Sequence, residues 1–454
     1  MSNLVINPQN RHQTFDKFGA SGAWWAQVVG GWDEIDEKSG MPKNERIAQL
    51  LFDKDEGLGI RIYRYNLGGG SAHSGKGDIP MQCRRTESFD VSNIDYDWSR
   101  DKNAVNMMKL ACKYGADEVI FFVNSPIERL TKNGKTHQDR AFQCNLSPDN
   151  YERFARYCLD CVEHFLGEGI PIKYLSPVNE PVWKWTGGQE GCHYRPTQVW
   201  NLFRVFCDEM DKRPMLKDLM LSGAENGDIR YFNKTYCRLL LDDVKIRRRM
   251  DSVDTHSYFL TPDYAILKST IGNRIAFMKR YKQFMDKHYP DISLKTSEWC
   301  HMKGGRDFGM KSALEQTKVM MEDMKYLDVT SWQLWIALSN VDYCDGLIYE
   351  FDEPRAFRMT KRYYAFGNFS KFIEPGMVRI DSDAGEELDS VCFENDEKTV
   401  VVVSNRFKEV KKLDIPFEDA EIYLTSEKFD LEKQTYTKEL FMPARSVATI
   451  VVKK

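Results

Sequence analysis

Eight short apolar or β-branched runs recur before residue 340, each followed by a helix-patterned segment, and this alternation restricts the fold more than any other feature. The runs are DKFGASGA (16–23), GIRIYRYNLGGG (59–70), EVIFFVNS (118–125), IKYLSPVNE (172–180), DLMLSGAEN (218–226), VDTHSY (253–258), LKTSEW (294–299) and TSWQLWIA (330–337). Parallel strands need crossover helices, and eight strand–helix units close into a ring, so the pattern predicts an α/β fold, the (β/α)8 TIM barrel. SPDNYERFARYCLDCVEHFLGEG and IAFMKRYKQFMDKHYP carry apolar residues at three- and four-residue spacing. Ser147 is placed to cap the first of these helices, and Gly167 and Gly169 to end it.

After about residue 365 the texture changes. MVRI, LDSVCFEN, KTVVVVSNR, KKLDIPF, AEIYLTS, KQTYTKELFM and RSVATIVVK are short strands separated by Asp, Asn, Gly and Lys turns, with no helical stretch. They predict a side antiparallel β-sandwich, which the N-terminal NLVINPQNRHQTF can join as a further strand. The expected division is a barrel over 15–365 and a sandwich over 1–14 plus 366–454.

Composition excludes several classes of function. A net charge of -4 over 454 residues leaves no basic footprint for nucleic acid. No run approaches the roughly 18 apolar residues of a membrane span, so no membrane partner is expected. The eleven cysteines are odd in number and lack the spacing of a disulfide framework, which reads as free thiols in a reducing compartment. Cys158, Cys161 and His164 lie on one predicted helix without a second ligand pair, so they are expected to be core residues and not a metal site. The N-terminus has neither a basic nor an apolar signal region, which places the chain in the cytoplasm, or outside the cell if a signal has been removed. Nothing in the sequence sets an oligomeric state.

In such a barrel, chemistry collects where the strands run out at the C-terminal face. Here the runs end in Arg64, Asn124, Asn179–Glu180, Glu225–Asn226, His256 with Tyr258, Glu298 and Trp335. Glu180 and Glu298 are 118 residues apart, which at roughly 40 residues per unit puts them on strands four and seven, facing each other across the mouth. One glutamate after a strand is ordinarily a solvated rim residue. Two of them, one preceded by Asn and the other followed by Trp, have the make-up of a glycoside-hydrolysing pair. A gap of roughly 5 to 5.5 Å would give retention, and roughly 6.5 to 9.5 Å inversion.

His256 and Tyr258 share one face of their strand, and the Tyr258 hydroxyl could donate to Glu298 and keep it ionised. Arg64 either pairs with a site carboxylate or braces the rim. Glu225 reads equally well as structural or as part of the site. NLGGGS (66–71) lacks the lysine and the spacing of a phosphate loop and reads as a tight turn. HExxH, paired CxxC and nucleophile-elbow motifs are absent, so neither a metal nor any other cofactor is expected. The ten tryptophans include Trp24, Trp25, Trp183, Trp185, Trp299 and Trp335 near strand ends, where flat rings suit the C–H face of a sugar. Trp25, Trp183 and Trp335 are the candidate stacking residues, with Trp185 beside Trp183 in the wall a sugar would lean on, and the expected partner is an oligosaccharide or polysaccharide substrate.

These residues resemble glycoside hydrolase family 30. The likeness runs over nearly the whole chain and rests on FGASGAWWA (18–26), RYNLGGGS (64–71), NSP (124–126), SPVNEPVWKWTGGQEGCHY (176–194), DTHSY (254–258), TSEW (296–299) and YYAFGNFSKFI (363–373). It implies a retaining β-glycosidase with Glu180 as general acid/base and Glu298 as nucleophile. It further implies that Asn179 holds the sugar 2-hydroxyl, Tyr258 and Arg64 support Glu298, and His256 and Trp335 line the site of the cleaved sugar; Asn124, at the end of its strand, is a further candidate for substrate binding. QEGCHY is most similar to the branch acting on β-1,6-linked galactan. Ile127, Glu128 and Arg129 depart from that branch, as does Ala20 in place of a glycine, and the charged pair leaves the sugar open. An exo-acting β-glycosidase on another sugar and a barrel that binds sugar without turnover are the rival readings.

Overall fold

The eight runs become eight parallel strands. They are β1 (Lys17–Ser21), β2 (Ile62–Asn66), β3 (Glu118–Phe122), β4 (Ile172–Ser176), β5 in two pieces (Met220–Leu221 and Ala224–Asn226), β6 (Ser252–His256), β7 (Ser293–Glu298) and β8 (Ser331–Leu334). This computed structural model describes residues 2–74, 79–92, 94–230, 233–258 and 274–454. Neighbouring strands pair in sequence order, and β8 returns to β1 with Trp332 opposite Phe18. β4 pairs with the first piece of β5 and β6 with the second, so the ring closes through one interrupted strand.

Among the described residues, eight helices of nine residues or more alternate with them: α1 (Lys43–Phe52), α2 (Lys102–Tyr114), α3 (Tyr151–Gly167), α4 (Pro196–Asp211), α5 (Asn233–Leu241), α6 (Arg274–His288), α7 (Met310–Tyr326) and α8 (Lys361–Ser370). The expected Ser147 cap is not made. Ser147 precedes a 3-10 turn (Pro148–Asn150) without a side-chain capping bond, and α3 starts only at Tyr151. Gly169, just past its end, takes φ +84, the left-handed conformation that glycine adopts without Cβ strain. Cys158 and Cys161 are buried in the packed face of α3, and His164 stacks on Trp98 with ring centroids 3.8 Å apart.

Side-chain alternation grades the barrel interior from floor to mouth. Ile62, Ile120 and Tyr174 form an apolar cluster with Met220. Two residues further along β2 and β3, the Arg64 guanidinium lies 4.4 Å from the Phe122 ring centre. Two further still, Asn124 donates to Asn66 Oδ1 at 3.2 Å. Each step of two moves one layer nearer the chemistry.

Six C-terminal strands and the N-terminal strand Val5–Thr14 form a seven-stranded sheet, the N-terminal strand lying at its edge and pairing antiparallel with Val378–Asp383. A three-stranded sheet (Ser2–Asn3, Lys411–Asp414, Glu439–Met442) completes the sandwich. The run KTVVVVSN is apolar on both faces for a physical reason. Val401 and Val403 enter the sandwich core, while Val400 and Val402 join the core that includes the barrel.

Two features differ from expectation. The segment placed across the boundary at 365 is the eighth barrel helix, α8, and it is capped by the Thr360 hydroxyl. Asn368 on it bonds Tyr423 O and Thr449 of the sandwich, while Tyr363 and Ser370 bond Leu50 O and Leu58 O of the barrel. Between β8 and α8 a hairpin, Ile348–Asp352 with Arg355–Met359, rises beside the mouth. Its Asp-Glu-Pro turn was the available signal, in a segment too short to show alternation clearly.

Candidate active site

Glu180 and Glu298 come together as the barrel register requires. One carboxylate oxygen of each, with a ring nitrogen of His256, lies within 4.8 Å of the other two. Glu298 ends β7. Its Oε2 is 3.1 Å from Arg64 Nη1, and its Oε1 accepts the Tyr258 hydroxyl at 3.0 Å. Glu180 stands four residues beyond β4 in a left-handed conformation, φ +42, that a non-glycine residue holds only under constraint. Three bonds supply it: Glu180 N–H donates to Glu225 O at 2.9 Å, and Glu180 C=O accepts Trp183 N–H at 3.0 Å and the Trp185 indole at 2.9 Å. Gly227 leaves room for the carboxylate, since a Cβ there would fall 2.6 Å from Glu180 Oε1.

His256 is the centre of the charge arrangement. Its Nδ1 donates to Glu180 Oε1 at 3.0 Å and lies 3.3 Å from Glu298 Oε1, while Nε2 donates to Glu225 Oε2 at 3.0 Å. Burial alone would lower its pKa, but the three carboxylates outweigh burial and raise it to about 10. The ring is therefore an imidazolium with both nitrogens donating. Its side chain is 0% exposed. The expectation that His256 faces the sugar is thus corrected, because it lies beneath the carboxylates and not in the cleft.

Glu225, undecided from the sequence, belongs to this cluster. It is fully buried, 3.6 Å from Arg64 Nη2, and also accepts from Ser297 and from Ser222 at 3.1 Å. Burial would raise its pKa, yet Arg64, His256 and Ser297 together hold it down at about 2. Glu298 goes the other way. Burial pushes it above the ordinary glutamate value, with His256 and Arg64 opposing and the neighbouring carboxylates Glu180 and Glu225 adding to the rise.

Asn179 extends the mouth as the end of a side-chain relay. It donates to Asn124 Oδ1 at 3.0 Å, and Asn124 donates in turn to Asn66. Asn179 Oδ1 and Asn66 Nδ2, the two ends, are buried without a partner among the described residues. A buried amide oxygen left open is costly unless a ligand completes it.

The tryptophans differ in role. Trp183 is 37% exposed and keeps an open face at the rim. Trp335, with 7% exposure, packs edge-on to Trp24 at 5.1 Å. Trp25 is corrected to a core residue, 1% exposed, with its indole N–H bonded to Ser21 O at 2.8 Å. Trp185, expected in the sugar wall, is the brace behind Glu180.

Two loops are also explained. The amides of NLGGGS do not cradle a phosphate: Gly69 N–H and Ser71 N–H donate to the buried carboxylate of Glu190, from QEGCHY, at 2.9 and 3.1 Å. Arg129 is held by Asp90 through Nε at 2.8 Å, so it is committed to a structural ion pair.

Tyr258→Phe removes a hydrogen bond to a charged acceptor, so kcat is expected to fall about 10- to 100-fold with little change in KM. Steady-state kinetics decides it, and an unchanged kcat would remove Tyr258 from the supporting set.

Residues 1–349 match the family model described as O-Glycosyl hydrolase family 30. The chain is 23% identical over 427 residues to an endo-beta-1,6-galactanase from Hypocrea rufa, covering 88% of this chain and 81% of that protein. It is likewise 23% identical over 393 residues to the glucuronoxylanase XynC from Bacillus subtilis, covering 81% of each. The fold is similar to that of a conserved exported protein from Bacteroides fragilis, with a TM-score of 0.86 at 23% identity over 99% of this chain and 100% of that one. With the family model spanning the barrel up to the hairpin and the paired glutamates in place, the chain is a member of glycoside hydrolase family 30 and a glycoside hydrolase.

Proposed function

We propose that this glycoside hydrolase is a retaining enzyme that cleaves β-linked galactosides, with β-1,6-galactan or its oligosaccharides as substrate. The observation that supports the retaining part is that one oxygen of Glu180 and one of Glu298 lie within 4.8 Å of each other, in keeping with the close pair of a retaining enzyme. Glu298 attacks the anomeric carbon while Glu180 gives its proton to the leaving oxygen. Water then enters, Glu180 takes a proton from it, and the bond to Glu298 breaks. Asn179 Oδ1 accepts the sugar 2-hydroxyl, and the open face of Trp183 meets the ring beyond the scissile bond.

Support for galactan comes from QEGCHY and from the likeness to a protein named endo-beta-1,6-galactanase. Mass-spectrometric product analysis on β-1,6-galactan, glucuronoxylan and β-glucans tests it. Galacto-oligosaccharides are expected, and release from another glycan with none from galactan would overturn the sugar assignment.

A pH profile follows from Glu298. The attacking form is the carboxylate, and it is lost as pH falls through a pKa that burial has raised. The acidic limb of kcat/KM is therefore expected above the ordinary glutamate value of 4.5. A limb at or below that value would contradict it.

A further inference from the structure

We propose that Glu225 is a positioning residue of the reaction: its buried negative charge, touching no substrate, keeps His256 doubly protonated so that one Nδ1–H bridges the proton donor and the nucleophile. The inference rests on the reading of Glu180 and Glu298 as that pair. Geometry carries it. Three carboxyl groups and two cations, Arg64 and His256, share the barrel mouth; Glu225 and Glu298 each meet both cations, and Glu225 does so through His256 Nε2, with its own side chain 0% exposed. Glu225 Oε2 takes the Nε2–H of His256 at 3.0 Å, which fixes the ring so that Nδ1 points to Glu180 and Glu298. Ser222 and Ser297 hold the carboxylate itself. A neutral ring has only one N–H, and could not serve Glu225 and the catalytic pair together.

Among the described residues, few other titratable or charged groups surround the pair. Tyr258 lies beside His256 with ring centroids 5.8 Å apart and is bonded to Glu298 and Cys300. Asp254 shares Ser222 with Glu225, and Lys295 lies in turn near Asp254. None of these supplies a second anion to Nε2. Loss of the Glu225 charge should therefore lower the His256 titration by about 1 to 3 pH units, into the working range.

The test is ¹⁵N NMR titration of the imidazoles in the whole protein, with the His256 signal assigned by its loss in His256→Asn. In the wild type, His256 is expected to stay an imidazolium through pH 8; titration near the ordinary 6.5 would overturn the proposal without any variant. In Glu225→Gln the ring is expected to titrate between about pH 7 and 9. Its kcat/KM on a nitrophenyl glycoside should match the wild type more closely at pH 5 than at pH 8, with a further loss of about tenfold across that span, and Glu225→Asp should restore part of it. An equal loss at every pH, or an unchanged titration, would reduce Glu225 to a structural role. The titration needs no substrate, so failure of this inference is distinguishable from failure of the assigned reaction.

Discussion

Glu298→Ala is expected to abolish hydrolysis, by at least about 10⁴-fold in kcat on any glycoside, while the protein still folds. The loss is large because, among the described residues, Glu225 is fully buried against His256 and Glu180 serves the leaving group in the proposed mechanism, which leaves neither to form the covalent intermediate. Stability should survive for an electrostatic reason. Three carboxyl groups face Arg64 and His256, and when Glu298 is removed the ionised Glu225 still sits against both cations. Arg64 retains Glu225 at 3.6 Å, and the removed group is one that burial was already disfavouring as an anion. Activity assays beside thermal melting check both halves. Turnover near wild type would eliminate Glu298 as nucleophile.

Glu180→Ala should show a loss that depends on the leaving group. A saccharide leaving group needs its oxygen protonated, and turnover is expected to fall about 10³-fold or more; a dinitrophenolate leaves unaided, so the first step should fall about tenfold or less. Water attack on the intermediate also loses its base. Azide needs no base, so added azide should restore turnover and yield the β-glycosyl azide, with the Glu298 bond breaking as the carbon–nitrogen bond forms. An equal loss on all substrates with no azide product would contradict the acid/base assignment.

Those two residues were legible in the sequence because a barrel converts chain position into angular position. Each strand-end residue is held by the ring, so the spacing of Glu180 and Glu298 already fixed that they face each other. Depth is another matter. The alternation of His256 and Tyr258 correctly puts both on the inner face, yet only packing decides that His256 is sealed beneath the carboxylates while Tyr258 reaches Glu298 from beside them. Glu225 was undecidable for the same reason: its partners Arg64, Ser297 and His256 come from three other strands.

The tryptophans show the limit most clearly. Trp183 and Trp185 are two residues apart in one loop, and one keeps a free face while the other turns its indole back to the Glu180 carbonyl. Trp25 fails as a sugar platform because Ser21, four residues earlier, takes its N–H inside the core. The glycines of NLGGGS, read from the sequence as a tight turn, form irregular backbone with a bend at Gly70, and their buried partner, Glu190, lies 121 residues from Gly69. The helix α8 escaped notice at the boundary because its apolar residues serve barrel and sandwich at once, which blurs the one-sided pattern of a surface helix.

The most direct measurement is covalent trapping. The protein is incubated with a 2-deoxy-2-fluoro-β-galactosyl fluoride, digested and mapped by mass spectrometry, with the matching fluorosugar chosen if product analysis identifies another glycoside. Slow release of the fluoro intermediate should let one sugar accumulate per protein, attached to Glu298 in the TSEWC peptide. An adduct on Glu180 or Glu225, or a time course in which the α-anomer of the natural product appears first, would contradict the double displacement through Glu298.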